Sequence, residues 1–188
     1  MLSFAGWYRN RYVWVAVILL VTSAGAAAIV NSANAGLKPA ELRAQIETRM
    51  RTTLEQSKPE QHQHAGHTAQ QEAAGQAAVV CGVRVYGYEP AQVTALADVR
   101  QVYGFHLCGV AEQKRPWDVA VKLAGPVIVN LAAEPPGIQV VEATADVKFV
   151  DRLREMFPPE YAEMAQKEAL ADPEMADLRR RYDAAAGL

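Results

Sequence analysis

The chain has two cysteines, Cys81 and Cys108, and the second follows His106 by two positions. Residues two apart on a strand share a face, so His106 and Cys108 have the spacing for a thiolate and its base. The competing chemistry is a bridge. Outside the cytoplasm, two cysteines on neighbouring strands oxidise by default, and no Cys-x-x-Cys spacing marks a redox catalyst. A Cys81–Cys108 disulfide is therefore expected, and placing those two opposite each other sets Val83 against His106 and Val85 against Gly104.

A second constellation is His62-x-His64-x-x-His67, three imidazoles in a polar stretch. Neutral imidazole is the commonest transition-metal ligand and short His-rich tracts bind zinc, copper or nickel. Without fixed geometry such a site would be weak, suited to metal capture rather than catalysis, and the alternative is a polar linker that happens to contain histidine. A third set, Arg84, Tyr86, Tyr103, Phe105 and His106, would make an aromatic groove in which Arg84 meets an anionic ligand. The alternative is a surface arginine lying along apolar side chains. The carboxylates Asp98, Glu112 and Asp118 fall near strand ends, where solvated loop residues are the norm.

Several chemistries are excluded. The last serine is Ser57, so the region after it has no serine nucleophile. After His67 only His106 remains, too few for a histidine-based zinc site in that region. Phosphate-cradling glycine patterns are absent, and no cofactor is expected. The basic run Arg179-Arg180-Arg181 lies between Asp177 and Asp183, and the formal charge of -2 supplies no field to draw in nucleic acid.

The elements that must position these residues follow from periodicity. Residues 37–56 read as a helix with Pro39 in its first turn and Leu42, Ile46, Met50 and Leu54 at every fourth place. It is expected as a stalk, with packing on the domain or on another chain left open. Residues 57–76, rich in Gln, His, Ala and Gly, form a flexible linker, which puts the start of an α+β domain (77–158) near Ala77. Short β-type runs span Val79–Tyr86, Arg100–Val110, Val127–Leu131 and Ile138–Ala143. Glu134-Pro135-Pro136-Gly137 turns the last pair into a hairpin, and a helical turn fits between Tyr88 and Val99. Asp146 is placed to cap a helix carrying Val147, Val150, Leu153 and Phe157, which Pro158-Pro159 ends. A charged helical tail (159–188) holds Tyr161, Met164 and Ala165, then Met175, Leu178 and Tyr182. The expected fold is a four-stranded antiparallel meander covered by C-terminal helices, similar in layout to cystatin-like or NTF2-like folds. The face bearing Tyr103, Phe105 and Leu107 looks like core, yet Arg84 shares it.

The start of the chain bears on where all this resides. Arg9 and Arg11 precede an uncharged, largely apolar run from Tyr12 to Val30, long enough for one transmembrane helix. Trp7, Tyr8, Tyr12 and Trp14 suit a membrane interface. Read as a signal peptide, the same run precedes a small-x-small site at Ala33-Asn34-Ala35, with secretion after cleavage. Either way residues 1–11 stay cytoplasmic, because the first charge beyond the run is Lys38, and the remainder faces outward.

With that leader, the two strand cysteines, Gly125-Pro126-Val127 opening a strand and Phe157-Pro158-Pro159 closing a helix, the chain resembles small exported proteins of unknown function from high-GC Gram-positive bacteria. The resemblance spans Val79 to Glu160 and implies no activity, cofactor or catalytic residue. The expectation is a membrane-tethered extracytoplasmic module that binds a protein partner in the envelope. The alternatives are a small-ligand binder or enzyme using the aromatic groove, and a metal binder using the linker histidines.

Overall fold

The computed structural model describes residues 37–57 and 77–188. The apolar run 12–30, the small-x-small site and His62, His64 and His67 lie outside the described residues. Among those that are described, no helix is long and apolar enough to cross a membrane.

Helix α1 spans Pro39–Gln56, and the Glu41 carboxylate reaches back to accept from the Lys38 amide at 3.4 Å. Its fourfold stripe of Leu42, Ile46, Met50 and Leu54 is buried, and a buried side chain of this kind contributes about 1.5–3 kcal/mol. The sheet follows: β1 (Ala78–Glu89), β2 (Gln101–Ala111), β3 (Lys122–Asn130) and β4 (Gly137–Val140), antiparallel and in sequential order. Short 3-10 turns at Leu96–Asp98 and Trp117–Val119 interrupt the first two connections. β3 begins five residues before the apolar run at Val127, because Lys122 and Gly125-Pro126 mask its alternation while β2 still pairs with it from Gly109 to Gln101. β4 ends at Val140, three residues short of Ala143.

The β1–β2 register sets Cys81 against Cys108, Val83 against His106 and Val85 against Gly104, and it slips once between Val85 and Gly87. Tyr86, at the bulge, keeps the face of Arg84 and packs with Tyr103. The C-terminal helices are α2 (Phe149–Met156), α3 (Pro159–Lys167) and α4 (Asp172–Ala186). Asp146 does not cap α2. Thr144 closes a local turn, exchanging hydrogen bonds with Val147, and the helix starts after Lys148 instead.

Both sheet faces are covered. Tyr86, Tyr103 and Ile128 pack under Leu153, Phe157 and Ala162 of the α2–α3 region, and Val80 and Ala111 pack with Trp117 under Leu178 and Tyr182 of α4. On the opposite face a Cβ added at Gly104 would meet Met50 Cε at 3.0 Å, so α1 lies directly on the sheet there. The described residues from Lys38 onward form one compact unit. The 37–56 helix is thus a layer of the domain rather than a stalk, because its stripe finds apolar partners on the sheet. Helices α3 and α4 of the 159–188 segment cover the sheet, as expected for a meander covered by C-terminal helices.

Candidate functional site

The expected groove is divided between the two faces of the sheet. Arg84, Tyr86, Tyr103 and Phe105 lie under the C-terminal helices, whereas His106 alternates to the other face and has no exposed surface. The guanidinium of Arg84 sits between two carboxylates: its Nε is 3.1 Å and one terminal nitrogen 3.0 Å from Glu174, and the other terminal nitrogen is 3.2 Å from Glu168. The hydrogen bond to Glu174 raises the already high pKa of Arg84. Its charge is balanced by the fold, so the arrangement fastens the α3–α4 connection to β1 and does not present a cation to an anionic ligand.

The aromatics beside it make a packed core. The Tyr86 hydroxyl donates to the Glu168 carbonyl, and burial, reinforced by the Glu168 charge, pushes its pKa up to about 12. Tyr103 meets Phe157 edge-on with ring centroids 5.3 Å apart and Tyr161 at the same separation, tilted. Burial first, then the charge of Glu89, pushes Tyr103 up to about 12 as well. Phe105 packs partly buried against the same cluster.

On the other face, His106 Nδ1 is 2.9 Å from the Gly125 carbonyl oxygen. A carbonyl only accepts, so that nitrogen carries the proton. Cys81 and Cys108 are joined, S–S 2.07 Å, with Cα atoms 4.0 Å apart. This is the closer, non-hydrogen-bonded class of antiparallel pair. Among the described residues there is no free cysteine, so the thiolate-and-base chemistry considered for His106 and Cys108 is not available.

The same strand geometry builds a feature that the sequence did not disclose. In a non-hydrogen-bonded pair the backbone groups of Cys81 point away from β2, out along the edge of the sheet. Its N–H donates to Glu55 Oε1 of α1 at 3.0 Å, and its carbonyl accepts from an Arg181 terminal nitrogen of α4 at 2.6 Å. Arg181 also binds Glu55 at 3.0 Å and Asp177 at 2.8 Å. Asp177 is held below the usual carboxylate range, chiefly by that hydrogen bond from Arg181. Further along the edge, Arg43 of α1 donates to the Val85 carbonyl. Side chains from both covering layers thus fold around β1 and occupy groups that another strand would otherwise pair with.

The remaining candidates are dispersed. Asp118 pairs with Arg179 at 3.1 Å, Glu112 pairs with Arg115, and Asp98 is exposed in its 3-10 turn. Arg180 pairs with Asp177, so each arginine of the 179–181 run has an acidic partner. An open depression of about 480 Å3 between Ala44, Thr48, Arg49, Thr52 and Leu96 has one charged lining residue and encloses nothing. No group of three metal-ligating side chains occurs among the described residues. No family model matches the chain, and no curated protein or solved structure matches it either.

Proposed function

We propose that the chain is a membrane-tethered, outward-facing module whose folded part serves to bind another protein of the envelope and performs no reaction of its own. The observation that carries this reading is the Cys81–Cys108 bridge, whose first cysteine has no exposed surface. A covalent link so placed is what an oxidising compartment produces, and the apolar run from Tyr12 to Val30 supplies a route there. The side chains best suited to chemistry are engaged elsewhere: Arg84 with Glu168 and Glu174, His106 with Gly125, and the two sulfurs with each other. What is left at the surface suits contact with a macromolecule better than turnover of a small one.

The test uses native cells. A membrane-impermeant amine reagent applied to intact cells should label the folded part, and the chain should stay with the membrane fraction. Intact mass after alkylation should show both cysteines blocked until a reductant is added. A chain recovered with two alkylatable thiols and shielded from the reagent would refute the reading.

A further inference from the structure

The two edges of the sheet are treated differently. At β1, Glu55, Arg181 and Arg43 close the edge. At the other side β4 is only four residues long and pairs with β3 from Val127 to Asn130, after which the Val141 amide donates to the Pro126 carbonyl. That bond shows that even-numbered β3 residues direct their backbone groups outward, whereas the Val121 carbonyl turns inward to accept from Val110. The N–H and C=O groups of Lys122 and Ala124 therefore face outward with no strand beside them among the described residues. The neighbouring positions hold three exposed large apolar side chains: Val119 at 65%, Val121 at 61% and Leu123 at 38%. An open ladder at the start of β3, with exposed apolar side chains on it and on the residues leading into it, is the combination that recruits another strand.

We propose that β3 pairs with β3 of a second copy, antiparallel about a twofold axis through Leu123. The choice of a second copy rests on self-complementarity. With Leu123 on the axis, Lys122 of one protomer lies opposite Ala124 of the other, so like charges do not meet and four N–H···O=C bonds form. The two Leu123 side chains touch on one face, and Val121 lies over Gly125 of the partner, where there is no side chain to obstruct it. Centring the pairing on Lys122 would set lysine against lysine, which is unfavourable. Such an interface is isologous and closes at two copies. Pro126 and Val141 end it on one side, which keeps the pairing short and prevents growth into a fibre.

The experiment uses the full chain in detergent micelles. Leu123→Cys places two thiols across a non-hydrogen-bonded pair, the same relation that Cys81 and Cys108 have within one protomer. Mild oxidation with diamide should give a covalent dimer far faster than Glu163→Cys, whose site on α3 is exposed but distant. Sedimentation should give twice the protomer mass for the natural sequence and a monomer for Ala124→Pro, which removes an outward N–H and costs no β2 bond; its far-ultraviolet circular dichroism should match that of the natural chain, while the concentration dependence of the melting temperature should be lost. A natural chain that is monomeric, a dimer that survives Ala124→Pro, or crosslinking no faster than the Glu163→Cys control would overturn the proposal. None of these outcomes depends on which side of the membrane the chain occupies.

Discussion

Tyr86 and Tyr103 concentrate the response of the fold to alkali. Both have folded-state pKa values near 12 against an ordinary 10. The folded state holds these protons more tightly than the unfolded chain, so their stabilisation is complete below pH 10 and is lost as pH rises from 10 toward 12. Each contributes about 1.4 kcal/mol per pH unit over that window. Stability measured by denaturant midpoint is expected to be flat to pH 10 and then to fall, with tyrosinate absorbance from the buried rings appearing together with unfolding; Tyr86→Phe should shallow that slope. The sequence pointed to both tyrosines for a different reason. Their identity and face were legible from strand alternation, but their partners were not, because Glu168 lies 82 residues beyond Tyr86 and nothing local marks it. The same holds for Arg181 and Glu55, 126 residues apart. Arg84 looked anomalous on an apolar face only because the carboxylates that neutralise it come from helices whose docking the sequence does not specify.

Among the elements, α1 shows most clearly where periodicity runs out. Leu42, Ile46, Met50 and Leu54 were readable as a buried stripe, but a stripe does not name what buries it. Here the sheet does so through Val85, Gly104 and the β1 edge. Ile46→Ala is expected to cost about 2–5 kcal/mol, read as a lower denaturant midpoint. Thr48→Ala on the outward side of the same helix should change little. A stalk that stood free of the sheet would show no such contrast. β2 was located to within one residue at each end, β1 runs three residues past Tyr86 to Glu89 beyond its bulge, and the Cys81–Cys108 register followed from pairing the thiols. β3 was misplaced at its start because its first residues, Lys122 to Pro126, are the ones that lack a strand on their outer side. There the alternation answers to one neighbour only and to solvent.

At the scale of the whole molecule, a four-stranded sheet with α1 on one face and α2, α3 and α4 on the other is fastened by one covalent link. The bridge closes a loop of 27 residues, which in the chain-entropy model restrains the unfolded chain by about 3.5 kcal/mol. Against a typical net stability of about 5–15 kcal/mol, that is a large share. Reduction under native conditions is expected to move the denaturant midpoint down by a corresponding amount. The folded baseline should persist, since Glu55, Arg181 and Arg43 still hold β1 from outside. The class of fold was legible because strand runs and helical stripes follow one another without mixing. The sandwiching of the sheet was not, because that depends on which stripe reaches which face first. The contact of Glu55 with the Cys81 amide carries one more consequence. Glu55 lies one residue before the end of α1 and Cys81 three residues into β1, so the two ends that residues 58–76 join are held close together. Doubling the number of residues between those ends should cost only about 0.6 kcal/mol. Breaking the chain between Ser57 and Ala77 should leave two fragments that migrate as one on a nondenaturing gel, because the buried stripe of α1 keeps its place on the sheet.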